Sequence, residues 1–314
     1  MELARVRSEM SVRAWLGAAA CGAGLLLSGC GGGAPVAPAV SPLAGNWLIV
    51  GPMPTNVFSL PPVASTFRLA MTFDVTGNNI AAAGFANAPC APVSPPPPLP
   101  ILSASSVSFG TDATGTIATD GSFSLQTPAN LPVASISIQG KVPQTNSAGW
   151  SGSYTASLNS SLGLPCTGSF GGPFTATSFP LISGVYVGAG SSQTTLNGPE
   201  TPVTFQVTLQ QGGTVVDNVT GKPFTSNLVL TGSIRVQGLP CFASGVTSST
   251  PPSEVEGNQL VAAFTMDDGS TLTIEGALAD STETRITANV AVVTGGQCGK
   301  VPFLIQLPEL DRQS

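Results

Sequence analysis

Short runs in which apolar and polar residues alternate, each stopped by Gly, Asn, Asp or Pro, fill this chain from residue 46 to residue 307. Leu228, Leu230, Ile234 and Val236 fall on one face of such a run, and Thr231, Ser233 and Arg235 on the other. Ile286, Ala288, Val290 and Val292 repeat the pattern, as do Val301, Phe303, Ile305 and Leu307. A period of two is that of an extended strand with one face packed and the other wet. The runs predict strands near 46–50, 66–75, 79–86, 103–109, 114–119, 122–127, 133–141 and 150–157, with 166–178 closing that half. A second set is predicted near 184–188, 202–210, 213–217, 227–237, 259–266, 270–279, 284–293 and 300–307. Thr76-Gly77-Asn78-Asn79, Asp120-Gly121 and Asp268-Gly269 read as hairpin turns, since these residues tolerate positive φ. No amphipathic helix of useful length emerges, so the expected class is all-β.

The chain also repeats itself. Phe67-Arg68-Leu69-Ala70-Met71-Thr72-Phe73 matches Val203-Thr204-Phe205-Gln206-Val207-Thr208-Leu209 at an offset of 136 residues. At the same offset Ile136-Ser137-Ile138-Gln139-Gly140 matches Leu272-Thr273-Ile274-Glu275-Gly276, and Asp120-Gly121 falls opposite Glu256-Gly257. Gly45-Asn46-Trp47 opens the first half and Gly184-Val185-Tyr186 the second. Self-similarity at a fixed spacing is the mark of a duplicated unit.

Upstream of the first strand the pattern changes. Arg5, Arg7 and Arg13 precede an apolar run from Ala14 to Leu27, which ends in Leu27-Ser28-Gly29-Cys30. A charged start, a short apolar stretch and small residues are the zones of an export signal. The run is shorter than the roughly 18–20 residues needed to span a membrane. Its end resembles the lipobox of bacterial lipoproteins. That resemblance implies cleavage after Gly29 and acylation of Cys30, including an N-acyl chain such as palmitate. Two or more acyl chains give firm anchoring, whereas one holds only marginally. With Gly31 and not Asp after Cys30, the resemblance implies the outer membrane of the cell envelope. Gly31 to Pro42 then reads as a tether.

Composition narrows the classes. Loss of residues 1–29 removes Glu2, Glu9 and the three arginines, leaving 7 basic and 14 acidic residues of the chain's 10 and 16. No basic cluster remains, so no nucleic-acid partner is expected. Cys21 leaves with the signal and Cys30 takes lipid; Cys90, Cys166, Cys241 and Cys298 remain. An even count in an exported protein reads as two disulfides, for which sequence alone permits three pairings. Two cysteines fall in comparable places in each half, which makes Cys90–Cys166 and Cys241–Cys298 the natural pairs. Wide spacing and the absence of His argue against zinc.

Gly45-Asn46-Trp47 is similar to the Gly-x-Trp that opens lipocalin barrels, with Gly184-Val185-Tyr186 as its copy. The resemblance implies eight-stranded up-and-down barrels, each plugged by the aromatic ring and stapled by a disulfide. The lipocalin arginine over the tryptophan and the Thr-Asp-Tyr motif have no counterpart here. The expected fold is therefore two tandem antiparallel up-and-down β-barrels of about eight strands each, with two β-sandwiches as the alternative. The expected boundaries are 1–29 signal, 30–43 lipidated Cys and tether, 44–179 first barrel, 180–308 second barrel and 309–314 tail.

Candidate chemistry is sparse. Without His, neither Ser-His-Asp nor Cys-His catalysis is possible. Gly295-Gly296-Gln297-Cys298-Gly299-Lys300 lacks the spacing of a phosphate loop and reads as a Gly-rich turn. Asp74, Asp112, Asp120, Glu254, Glu256, Asp267, Asp268, Glu275 and Glu283 are the acid-base candidates, read mainly as solvated turn and strand residues. Asp267-Asp268-Gly269 lacks calcium-loop spacing. Trp47, Trp150, Tyr154 and Tyr186 read as plug and core before ligand platform. Pro95 to Pro98 reads as a stiff connector. The expectation is a non-enzymatic, lipid-anchored envelope protein with no metal or cofactor. In it a barrel binds a small apolar ligand, or solid barrels serve as a structural or interaction module; a carboxylate-dependent hydrolase ranks below both.

Overall fold

The computed structural model describes residues 41–52, 66–90, 105–128, 134–145, 149–158, 168–192, 200–216, 223–248, 253–279, 281–282, 285–297 and 299–313. These residues are all-β, without a helix. The first eight strands are β1 Gly45–Pro52, β2 Thr66–Thr76, β3 Asn79–Cys90, β4 Ser105–Ile117, β5 Ser122–Gln126, β6 Ala134–Lys141, β7 Trp150–Leu158 and β8 Gly168–Phe179. Each pairs antiparallel with the next, and β1 pairs with β8 through Asn46↔Phe179 to Val50↔Thr175, closing a barrel. Closure removes the exposed edges that an open sheet must guard.

Alternation explains why these strands hold their register. Trp47 and Ile49 on β1, Phe67, Leu69, Met71 and Phe73 on β2, Ile136 and Ile138 on β6, and Trp150 and Tyr154 on β7 are buried in one core. Between them Ser135, Gln139, Ser151, Ser153, Thr155, Thr175 and Thr177 are exposed on the outside. A slip of one residue would exchange these two sets. Burying each large apolar side chain favours the fold by about 1.5–3 kcal/mol before chain entropy is counted.

The other ten strands are β9 Ser183–Ser192, β10 Thr201–Val216, β11 Pro223–Gln237, β12 Ser244–Thr247, β13 Glu254–Glu256, β14 Gln259–Met266, β15 Ser270–Leu278, β16 Arg285–Gly295, β17 Gly299–Gln306 and β18 Leu310–Arg312. They form one sheet in the order β10-β11-β12-β14-β15-β16-β17-β9-β18, with β13 pairing β11 and β14. β9 also pairs with β10, and β18 with β16. This sheet has its own core, from Ile182 and Tyr186 to Leu307 and Leu310.

The two halves match where the sequence repeats. Gly45 and Gly184 have φ of 118° and 121°, and Trp47 and Tyr186, two residues on, are both buried. Phe67, Leu69, Met71 and Phe73 on β2 correspond to Val203, Phe205, Val207 and Leu209 on β10, all buried. Ile136 and Ile138 correspond in the same way to Leu272 and Ile274.

Several elements differ from the expectation. Residues 105–109 and 114–117, expected in two strands near 103–109 and 114–119, lie in one strand, β4. Likewise 202–210 and 213–216, expected in two strands, lie in β10, whose register breaks between Gln211 and Gly213. The short strands β12 and β13 were not anticipated, because four and three residues are too few to show a period. Residues 310–312, expected as tail, form β18 with Leu310 buried. In β16 the expected inward row Ile286, Ala288, Val290, Val292 breaks midway. Gly276 pairs with Ala288 but Glu275 with Val290, so Asn289 is an extra residue and Ala291 and Val293 become the buried ones. A bulge inverts the parity of everything beyond it.

Candidate functional site

The sequence offers three places for chemistry: the barrel interior, the cysteines and the carboxylates. Inside the first barrel the aromatic rings lie against one another. Trp150 meets Trp47, Phe73, Phe123 and Phe174 edge-on at centroid distances of 5.8, 6.2, 5.2 and 5.0 Å. Tyr154 stacks on Phe67 at 4.6 Å. Small inward residues make room for them: a Cβ on Gly140 would lie 2.9 Å from the Trp150 ring and 3.1 Å from that of Phe123. Trp47 Nε1 donates to Leu43 O at 2.8 Å, and Tyr154 Oη to Pro52 O at 2.8 Å. Burial pushes the Tyr154 hydroxyl up to about 12, so it remains a donor. Trp150 Nε1 and Thr111 Oγ1 are buried without a hydrogen-bond partner. Large and small side chains interdigitate here, as in small barrels that fill themselves.

Of the cysteines, Cys241 is disulfide-bonded and sits just after β11, next to buried Phe242. Cys90 ends β3. Cys30, Cys166 and Cys298 lie outside the described residues, as do Pro95 to Pro98 and Glu283.

Most acidic turn residues serve the backbone. Asp120 Oδ1 accepts from Ser122 N at 2.9 Å and Ser122 Oγ at 2.6 Å; the Ser122 hydroxyl, then its amide, hold the carboxyl below its ordinary value. Asp268 does the same for Ser270 N and Oγ at 2.8 and 2.6 Å. Asp267 accepts from Ala243 N and Ser244 N, each at 3.2 Å. Asp267-Asp268-Gly269 is thus a hairpin turn, with Gly269 at φ 82°. Gly295 and Gly296, at φ 71° and 58°, likewise turn the chain from β16 towards β17.

Asp74 and Asp112 behave differently. Both sit on the outer face of the first barrel, and both are half-buried there. Asp74 accepts from Ser226 Oγ and from Asn227 N, each at 2.7 Å. Burial raises its carboxyl above the ordinary value against the opposing pull of these two donors. Asp112 is pushed up to about 6, first by burial and then by the negative charge of Glu254. The solvated reading fails for this pair.

Around them lies a buried polar junction that sequence reasoning missed. Asn46 Nδ2 donates to Gln211 Oε1 at 2.8 Å and to Pro180 O at 3.0 Å. Gln211 Nε2 donates back to Asn46 Oδ1 at 2.8 Å and to Asn227 O at 2.7 Å. Thr72 Oγ1 donates to Asn46 Oδ1 and accepts from Gly257 N, both at 2.8 Å. Asn46, Thr72 and Gln211 are 1%, 0% and 2% exposed. Gly257, at φ 61°, approaches so closely that a Cβ would lie 2.4 Å from both Met71 N and Trp47 O. The one local signal that could have marked this place is Gly212-Gly213, which interrupts the alternation just after Gln211.

An open groove of about 500 Å³ lies on the outer side of the second sheet, lined by residues including Val187, Thr204, Gln206, Arg235 and Asp311. Among the described residues no group of three or more His, Cys, Asp or Glu is placed to hold a metal. Comparison of the chain with protein-family models, curated proteins and solved structures finds no match.

Proposed function

We propose that this is a lipid-anchored, non-enzymatic cell-envelope protein whose halves form a rigid interaction module with solid interiors. The observation that carries the reading is the ring-packed interior of the first barrel, where Trp150 alone contacts four other aromatic rings. A carrier of small apolar molecules needs space at that position, and the rings occupy it. The outer face, with its exposed Ser and Thr rows on β7 and β8, suits water and not acyl chains. The second half is read as another barrel in which β12 and β13 together replace a single fourth strand. Support comes from β9, which pairs with β10 on one side and with β17 and β18 on the other, so the pairings return to their start.

Lipidation at Cys30 is supported by the Leu27-Ser28-Gly29-Cys30 pattern, and an outer-membrane address by Gly31. Cys30→Ser is expected to move the protein from the membrane pellet to the soluble fraction; retention in the pellet would show that another element anchors it. Native mass spectrometry of residues 31–314 from an envelope extract is expected to give the bare protein mass. A small apolar molecule released on activation would restore the carrier reading.

A further inference from the structure

We propose that β18 occupies a strand-exchange slot between β9 and β16, which an extended acid–aliphatic–acid segment of another polypeptide enters in its place. The inference rests on the reading of the protein as an interaction module and gives that module a site. The slot exists because β17 stops short. Ile305 and Gln306 of β17 pair with Ser192 and Ser191 of β9, and on the other side Ile305 pairs with Ala291 of β16. Leu307-Pro308-Glu309 then leaves the ladder, and β18 re-enters it further along. There Asp311 lies between Val187 of β9 and Arg285 of β16, while Leu310 pairs with Ile286 and Arg312 with Tyr186.

Few bonds hold β18 in place. It has three residues between strands of ten and eleven, and pairs through two of them on each side. One backbone bond follows, from Gln313 N to Val185 O at 2.8 Å. Glu309 meets Arg285 at 3.5 Å, with both side chains about half exposed, where solvent screens the pair. Of the three side chains on β18 only Leu310 is buried. A segment with so little buried apolar surface opens at a small part of the global unfolding cost.

The place that β18 would vacate is shaped for one kind of occupant. Gly188 forms a notch beneath Leu310: a Cβ there would lie 2.8 Å from Leu310 Cδ2 and 2.4 Å from Glu309 O. Fully buried Ile286 is the opposite wall. The edges of β9 and β16 would offer main-chain donors and acceptors on both sides, the means by which sheets take up an added strand. Charge sets the flanks. Arg285 faces the acid before the aliphatic residue. Arg235 lines the open groove on the outer side, which Val187, Gly188 and the following acid, Asp311, also line. An incoming chain therefore meets the slot directly from solvent.

A fluorescein-labelled peptide spanning residues 307–313, added to the full-length protein in detergent micelles, tests this by fluorescence anisotropy. The peptide is expected to bind, and to bind the Leu310→Ser protein about tenfold more tightly, because the resident strand then vacates the slot more often. A peptide that itself carries Leu310→Asp should bind neither protein. Should the protein variant not fold, hydrogen exchange on the unaltered protein decides. The Gln313 amide should lose protection as peptide is added, while amides of β15 keep theirs. No binding, binding no tighter to the folded variant, equal binding of the Asp-bearing peptide, or an unchanged Gln313 amide at saturating peptide would overturn the proposal. An apolar molecule released in native mass spectrometry would instead overturn the solid-module reading, and none of these peptide outcomes depends on it.

Discussion

Asn46 shows how one residue can carry two unrelated tasks. It lies in the Gly-Asn-Trp triplet, where Trp47 turns inward to the barrel core and Asn46 outward. Outward polar residues on a strand look solvated in any sequence, as Asp74 did, and Asn46 and Thr72 carry no local mark that sets them apart. Nothing local distinguishes a polar side chain facing water from one facing Gln211, because the partner is 165 residues away. Once buried, such groups are costly to orphan: removing one partner leaves the other unsatisfied at about 1–3 kcal/mol. Gly257 is the sharpest case. An alanine there would strain a left-handed residue by about 1–2 kcal/mol and press on backbone atoms of β1 and β2 at a further cost of about 1–3 kcal/mol. Gly257→Ala is expected to lower the midpoint of chemical unfolding accordingly. The same change at Gly121, its sequence counterpart, meets no atom within 4 Å and should cost only the backbone strain.

At the scale of elements, the alternating runs were legible because each strand buries one face and wets the other. The hairpin turns at Gly77, Gly121 and Gly269 were legible too, since each takes the positive φ its residue type permits. Departures cluster where the period of two is interrupted. Asn289 inserts one residue into β16, and Gly212 breaks the register of β10, so the pattern on either side belongs to different phases. β12 and β13 are short because β11 pairs first with one and then with the other. Cys241, which is disulfide-bonded, stands in the turn that leads from β11 towards β12. Non-reducing peptide mapping is expected to join Cys241 to Cys298 and Cys90 to Cys166. A bridge between the halves would refute the duplicated arrangement.

For the molecule as a whole, the matched segments could be read from the sequence, and their apolar residues are buried in both halves, but the way the halves meet could not be read. The polar outer face of one barrel serves as the docking surface for the other sheet, through groups that satisfy one another. A junction of that kind couples the two cores: opening it exposes Asn46, Thr72 and Gln211 together. Thermal unfolding is therefore expected as one transition, with calorimetric and van't Hoff enthalpies in agreement. Two separated transitions would mean that the halves melt independently.

The position of β1 has a mechanical consequence. The chain reaches this strand through Leu43, buried and held by Trp47, and Asn46 then touches the second sheet almost at once. Any force transmitted from residues upstream of Ser41 enters at the seam between the halves and not at a distal end. β1 is hydrogen-bonded to β2 on one side and β8 on the other, so a pull along its axis loads both ladders in shear. Many bonds must then fail together, so the strand that receives the load cannot peel away one bond at a time.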